Sequence, residues 1–242
     1  MQQVAKRRPT RQGSRIESLD VIRGVAVLGI LLMNVVNFGL GVPAYFNLDA
    51  GGSDTWLDRS VGVAGELLPD QKFMAMFSLL FGAGIVLFHE RAVATGKHAV
   101  RLSLWRNLLL FGIGLVHSIF WDGDVLVVYA VCAPVVIAAR RLPDAALLAL
   151  AVGVIALSPL LAVVGQDSVG PNGAGLGEYW GITGDMNDEV SLWLLADFLV
   201  RALGLMLLGI VAYRRGSVTG ALEQSVYRRW LVIGCCAGLL AA

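Results

Sequence analysis

Runs of about 20 apolar residues, the length a helix needs to cross a bilayer, recur along this chain and leave little room for any other fold. They occupy residues 21–40, 73–88, 107–120, 125–139, 145–164 and 192–213, with a last, shorter run at 230–242. The composition agrees. The chain is 57% hydrophobic and 15% charged, where a soluble domain of this size carries about 25% charged residues. The expected fold is all-α: a polytopic transmembrane helical bundle with six complete spans and a truncated seventh. The last run is 13 residues by position, about 20 Å of helix, too short for a core of about 30 Å. The chain is therefore expected to be the amino-terminal part of a longer protein.

The domain division follows from the same pattern. Residues 1–15 hold Lys6, Arg7, Arg8, Arg11 and Arg15 and read as a basic cytoplasmic tail. Residues 16–242 form the transmembrane helical domain. The run at 21–40 is long for a signal-peptide core and lacks a small-residue cleavage site, so it is an uncleaved first span. Orientation follows from the cations. If the amino terminus is cytoplasmic, alternation of spans puts all but Arg59, Lys72 and Arg201 of the 19 Lys and Arg on the inner side. That is the positive-inside pattern of a multi-pass cell-membrane protein. A net charge of +1 gives no reason to expect a nucleic-acid partner. The three cysteines, Cys132, Cys235 and Cys236, lie in apolar runs and suit neither a disulfide framework nor a zinc site. No metal constellation, nucleotide fingerprint or Ser–His–Asp pattern is visible.

Between the spans, residues 41–71 form a long loop. Within it Trp56, Leu57, Val61, Ala64 and Leu68 share an approximate helical face, so an interfacial helix stopped by Pro69 is expected. Residues 166–189 form a Gly-rich outer loop with Asp167, Glu178, Asp185, Asp188 and Glu189 and no cation. Five carboxylates repel phosphate, and the loop lacks the lysine and helix of a P-loop. Gly82 and Gly84 are placed to let a neighbouring helix approach closely.

The best place to look for chemistry is H-S-I-F-W-D-G-D at 117–124, where one apolar run ends and the next begins. Gly114, His117, Trp121 and Asp124 share a stripe if the helix continues; alternatively Gly123 turns the chain so that Asp124 folds back toward His117. A carboxylate that holds one imidazole nitrogen leaves the other free as a base. The bland alternative makes Trp121 an interface anchor, Asp122 or Asp124 a helix cap, and His117 a hydrogen-bonding residue. Asp20 and Arg23 are three residues apart on the first span and can pair. Asn34 and Asn37 repeat that spacing at its far end, as interhelical hydrogen-bonding groups or substrate contacts. Asp197 and Arg201, one turn apart, are the deepest charges and form a structural or a functional pair.

Three stretches together resemble the YeiB-like family of bacterial membrane proteins: R-I-E-S-L-D-V-I-R-G-V-A-V-L-G-I-L-L-M-N at 15–34, K-F-M-A-M-F-S-L-L-F-G-A-G at 72–84, and G-L-V-H-S-I-F-W-D-G-D-V-L-V-V-Y-A at 114–130. They cover roughly the first 130 residues. Members of that family usually continue into a further carboxy-terminal membrane domain. The first-span pattern is also similar to that of transmembrane acyltransferases such as heparan-alpha-glucosaminide N-acetyltransferase. That resemblance implies transfer of an acyl group from cytosolic acyl-CoA, as cosubstrate, to an extracytoplasmic acceptor. The acetyltransferase uses a histidine in the loop after its first span, and residues 41–71 contain none here. The catalytic set expected is therefore His117 as base, oriented by Asp124 or Asp122. Asn34, Asn37, Lys72 and Trp121 line the acceptor or thioester end, and Asp20 and Arg23 organise the inner mouth. The rivals are a transporter with Asp197 and Arg201 on a polar path, and a non-catalytic subunit packing by Gly- and Ala-rich faces. The lipid bilayer is a partner in every case, and homo-oligomerisation stays open.

Overall fold

The structure is a computed structural model and describes residues 16–40, 43–46, 48–121, 123–161 and 188–241. Among these there is no strand. The helices are α1 (Glu17–Gly39), a short α2 (Pro43–Phe46), α3 (Trp56–Leu67), α4 (Lys72–Ala94), α5 (Ala99–His117), α6 (Leu126–Ala139), α7 (Asp144–Ile155), α8 (Asp188–Arg214) and α9 (Gln224–Ala241), with a 3-10 turn at Leu48–Ala50. The basic tail at 1–15 and nearly all of the acidic Gly-rich loop lie outside the described residues.

The expected count of crossings needs correction. Among the described residues five helical segments are long and apolar enough to cross a membrane, Glu17–Gly39, Trp56–Ala94, Ala99–His117, Asp144–Leu161 and Leu192–Arg214, rather than six with a seventh begun. The run at 125–139 supplies only the 14 residues of α6, about 21 Å of helix. Its start is held by the Asp124 carboxylate, which accepts the Val127 N–H at 3.1 Å. Its end comes at Arg140, ahead of Pro143. A helix this short is tolerated because its neighbours bury it: Val128, Tyr129, Cys132, Ala133, Val136 and Ile137 are all in the core. The last apolar run belongs to α9, which starts earlier, at Gln224, and carries Arg228 and Arg229 near its beginning.

The core is built where α8 lies between α4 and α7 and touches α6. Met206, Leu207 and Ile210 of α8 meet Val136 and Tyr129 of α6 and Leu147 of α7. Two glycines set the α4–α8 distance. A Cβ on Gly82 would lie 2.0 Å from the Met206 carbonyl oxygen, and one on Gly209 would lie 2.0 Å from that of Leu79. Bilayer tails are as apolar as leucine, so helices associate there through close backbone packing of this kind. The expected role of Gly82 holds; at Gly84 the space is taken instead by the Arg23 guanidinium.

Helix α1 packs more loosely, burying only Leu19, Ala26, Gly29 and Met33 along one seam. The Phe73 ring occupies the place of a side chain at Gly29. Most of its remaining Val and Leu side chains are exposed, as are those of α5, which suits helices facing lipid. The expected α3 is present, with no buried residue. A capping box starts it, Thr55 and Asp58 each accepting from the other's backbone N–H. It ends just before Pro69. The chain then reverses through Gln71, the one described non-glycine residue with positive φ, at 56°.

The two ends of the bundle differ chemically. At one, Arg214 donates to the Leu142 carbonyl at 2.8 Å and to Asp144 at 3.1 Å, and the Tyr213 hydroxyl donates to Glu90 at 2.7 Å. Arg106 lies 4.1 Å over the Phe88 ring at the same end. The opposite end carries His117, Trp121, Asp197 and Arg201.

Candidate functional site

Helix α5 ends at His117, and residues 118–120 form a turn. The long single-helix stripe is therefore excluded, and the fold-back alternative is what the chain adopts. Asp124 Oδ1 sits 2.8 Å from His117 Nδ1, while Oδ2 accepts the Val127 N–H at 3.1 Å. One carboxylate thus starts α6 and holds the imidazole. The two helices approach closely here because Gly114 lacks a Cβ, which would lie 2.8 Å from the Val127 nitrogen. The Asp124 side chain is 3% exposed and that of His117 is 49% exposed. With Asp124 ionised and the ring neutral, Nδ1 would donate to the carboxylate and Nε2 would be left as the free nitrogen. An imidazole held at one nitrogen in this way can serve as a general base through the other.

Other expected site residues divide between the two ends. Trp121 packs on Phe38 at the end of α1, ring centroids 4.9 Å apart, which brings α1 beside the His117 turn. Asn37, one residue before Phe38, has a buried Oδ1 without a hydrogen-bond partner among the described residues. Asn34 is half-buried one turn earlier. The Lys72 ammonium bends back onto the Glu66 and Asp70 carbonyls at 3.3 and 3.4 Å. Asp20 and Arg23 do pair, at 4.0 Å. They lie at the opposite end of α1, and 14 residues at 1.5 Å each put Arg23 about 21 Å from Asn37 along the axis. Asp122 is outside the described residues.

A second polar centre at the His117 end is larger than the i, i+4 spacing of its charges suggested. Arg201 and Asp197 pair on α8, with side chains 31% and 9% exposed. Asp197 also accepts the Ser158 hydroxyl from the segment just after α7. Arg201 Nη1 donates to Gln71 Oε1 at 3.0 Å. Gln71 in turn donates to Asp70 at 3.2 Å, and Asp70 accepts the Tyr45 hydroxyl at 2.6 Å. This chain of polar groups joins α2, the α3–α4 reversal, the segment just after α7, and α8. Arg201 Nε is buried without a partner among the described residues. Ser158, Gln71, Asp70 and Tyr45 had no sequence signal as site residues, because nothing local in sequence brings them to α8. Deeper in, the Tyr129 and Ser78 hydroxyls bond at 2.7 Å, with Phe77 and Phe81 against the Tyr129 ring.

Among the described residues no group of His, Cys, Asp and Glu could hold a metal ion. Cys132 is buried, and Cys235 and Cys236 are exposed on α9. An all-helical chain with these apolar segments, and with polar groups gathered at its two ends, is a multi-pass membrane protein. No family model matches the chain, and no solved structure matches it. It is similar to "Uncharacterized protein YeiB" of Escherichia coli (strain K12), 40% identical over 113 residues, which is 46% of this chain and 28% of that protein. It is also similar to "Uncharacterized protein YxaH" of Bacillus subtilis (strain 168), 34% identical over 160 residues, 62% of this chain and 38% of the relative. A third relative, "Uncharacterized 39.9 kDa protein in amylase 3'region" of Bacillus acidopullulyticus, is 36% identical over 125 residues, 51% of this chain and 34% of its own length. These matches agree with the YeiB-like resemblance. The chain spans between 28% and 38% of the length of these three relatives.

Proposed function

We propose that this is a membrane-embedded acyltransferase-like enzyme in which His117 is the general base and Asp124 its positioning partner. The amino terminus and the cation-rich helix ends face the cytoplasm, following the distribution of Lys and Arg. His117 then faces the extracytoplasmic side. The observation that carries this is the 2.8 Å contact from Nδ1 to a buried carboxylate on an imidazole that is itself 49% exposed.

The chemistry is a single acyl transfer. An acceptor amine or hydroxyl attacks the thioester carbonyl of an acyl-CoA while Nε2 takes its proton. The tetrahedral intermediate collapses, the carbon–sulfur bond breaks, and the coenzyme leaves as a thiolate. The imidazolium, stabilised by Asp124, then gives up its proton. Asn34, Asn37 and Trp121, at the same end as His117, line the acceptor side, and the unpartnered Asn37 Oδ1 is a ready acceptor for a substrate hydroxyl or amine. General-base help of this kind is worth about 10²–10⁴ in rate. The test is transfer of isotope-labelled acetyl-CoA to a panel of amine and hydroxyl acceptors by the full chain in sealed vesicles. His117→Ala should lose transfer by about that factor while His98→Ala keeps it. A His117→Ala protein with full transfer refutes the assignment.

A transporter is the second reading, and its supporting observation is the Asp197–Arg201 centre with its buried, unpartnered Nε. Uptake of a chemically unchanged solute by the reconstituted protein, abolished by Asp197→Asn and indifferent to His117→Ala, would establish it.

A further inference from the structure

At the cation-rich end, α5 and α6 leave a groove of about 960 Å³ between them, at the upper end of the roughly 300–1,000 Å³ that holds small ligands. Its wall is apolar: Leu104, Trp105, Leu108 and Phe111 of α5 and Pro134 of α6. Trp105 and Leu108 are each 58% exposed, so the groove opens on the outer surface of the bundle. At its mouth it adjoins a second hollow of about 700 Å³, which shares Lys97, His98, Arg101 and Leu104 with it. Arg140 and Arg141 close that hollow from the end of α6. Among the described residues no carboxylate lines either part. By contrast, the cations where α8 ends are paired: Arg214 and Arg215 both bond Asp144. The Arg140 guanidinium is held below its ordinary pKa, by burial first and by Arg141 second. A guanidinium keeps its proton regardless, so crowded positive charge at the mouth awaits an anion.

We propose that this groove is a binding site for an anionic phospholipid of the adjacent leaflet, its phosphate held by Lys97, Arg101, Arg140 and Arg141 and an acyl chain laid along Leu104, Trp105, Leu108 and Phe111. Depth decides for a lipid over a coenzyme. From Arg101 to Phe111 the axis of α5 rises about 15 Å, half of the roughly 30 Å hydrocarbon core and hence one leaflet. The cations stand at helix ends, where headgroups lie, and the apolar wall faces the direction from which a lipid chain arrives. Juxtamembrane cations attract anionic headgroups individually and additively. A groove adds the shape that turns such attraction into a site.

The full chain is extracted in detergent, loaded with dioleoylphosphatidylglycerol or dioleoylphosphatidylcholine, and retained lipid is counted by native mass spectrometry. Phosphatidylglycerol is retained in preference. Lys97→Gln with Arg101→Gln lowers its affinity on the order of 30-fold, about five-fold for each cation removed. Arg228→Gln with Arg229→Gln, cations outside the groove, leaves it unchanged. Leu108→Trp fills the apolar wall without touching a charge, and it also lowers retention, which serves if the double charge variant loses its helical circular dichroism. Equal retention of the two lipids, or full phosphatidylglycerol retention by Leu108→Trp, overturns the proposal. So does stoichiometric displacement of phosphatidylglycerol by oleoyl-CoA, which would make the groove a coenzyme site.

Discussion

Asp124→Asn isolates the proposed chemistry from the fold, because the two oxygens of Asp124 have separate jobs. Oδ2 accepts the Val127 N–H and Oδ1 faces His117 Nδ1. In the amide variant the carbonyl oxygen keeps Val127, so α6 still starts where it does. The amide NH₂ then faces Nδ1. That site is 3% exposed, so its donor cannot turn to water and Nδ1 must accept. The proton moves to Nε2, and the ring has no lone pair to offer a substrate. Replacing a charge-assisted bond by a neutral one costs about 1 kcal/mol, from roughly 1.5–3 for the former against 0.5–1.5 for the latter. Folding survives that loss, while base catalysis of about 10²–10⁴ does not.

The assay needs no substrate. The chain has three histidines, so isotope-labelled imidazole nitrogens give a nuclear magnetic resonance spectrum of three rings, assigned with His89→Gln and His98→Gln. Wild type should show His117 protonated on Nδ1 at neutral ring charge, and Asp124→Asn should show it protonated on Nε2. Asp124→Ala should leave the ring tautomer unfixed and weaken the start of α6. If wild type already carries the proton on Nε2, or if Asp124→Asn changes nothing, the positioning role of Asp124 is wrong.

Packing offers a sharper contrast. Gly82→Ala drives a methyl group against the Met206 carbonyl and should cost about 1–3 kcal/mol or more. Gly153→Ala meets nothing within 4 Å and should gain up to about 1 kcal/mol of helix propensity; thermal unfolding in detergent ranks the two. Tyr129→Phe removes one buried hydroxyl while Ser78 keeps its bond to the Met74 carbonyl, so the same assay should read a loss of about 0.5–1.5 kcal/mol. Arg201→Leu leaves Asp197, 9% exposed, with Ser158 alone and should cost about 3–5 kcal/mol. Arg59→Leu breaks only the exposed 2.8 Å pair with Asp49 and should stay below about 1 kcal/mol. Equal behaviour of these two arginine variants would reject a structural role for Arg201.

What could be foreseen from sequence was whatever depends on neighbours along the chain. The apolar runs are local and strong, so the helices and their all-α class were legible. So were the end of α3 before Pro69 and the Asp20–Arg23 pair. The number of crossings was not, because hydropathy does not measure helix length: α6 is apolar throughout, yet Asp124 and Arg140 hold it to 14 residues. The His117–Asp124 contact was one of two alternatives, and sequence could not choose between a continuing helix and a turn. Gln71 meets Arg201 across 130 positions of chain, which no spacing rule reaches. The groove was hidden for another reason. Its cations have an adequate explanation in membrane orientation, so only their arrangement around an apolar hollow, without a carboxylate, sets them apart.

The two polar centres at the His117 end stand in different states. Asp197 is buried and already served by Arg201 and Ser158, and Arg201 is tied to Gln71. A transport path needs charges that can release their partners and take up a solute or water at each cycle. Freeing this centre means breaking contacts from the segment after α7, from α8 and from the α3–α4 reversal together. His117 needs no such rearrangement. Its carboxylate is buried and fixed to the start of α6, its ring is half open, and the nitrogen that would react is the one Asp124 leaves alone. The buried pair therefore fits a brace that holds helices in register, and the exposed dyad fits chemistry. The same division explains why Gly114 matters to both: by letting α6 start against α5, it sets the distance across which one carboxylate can serve a helix and an imidazole at once.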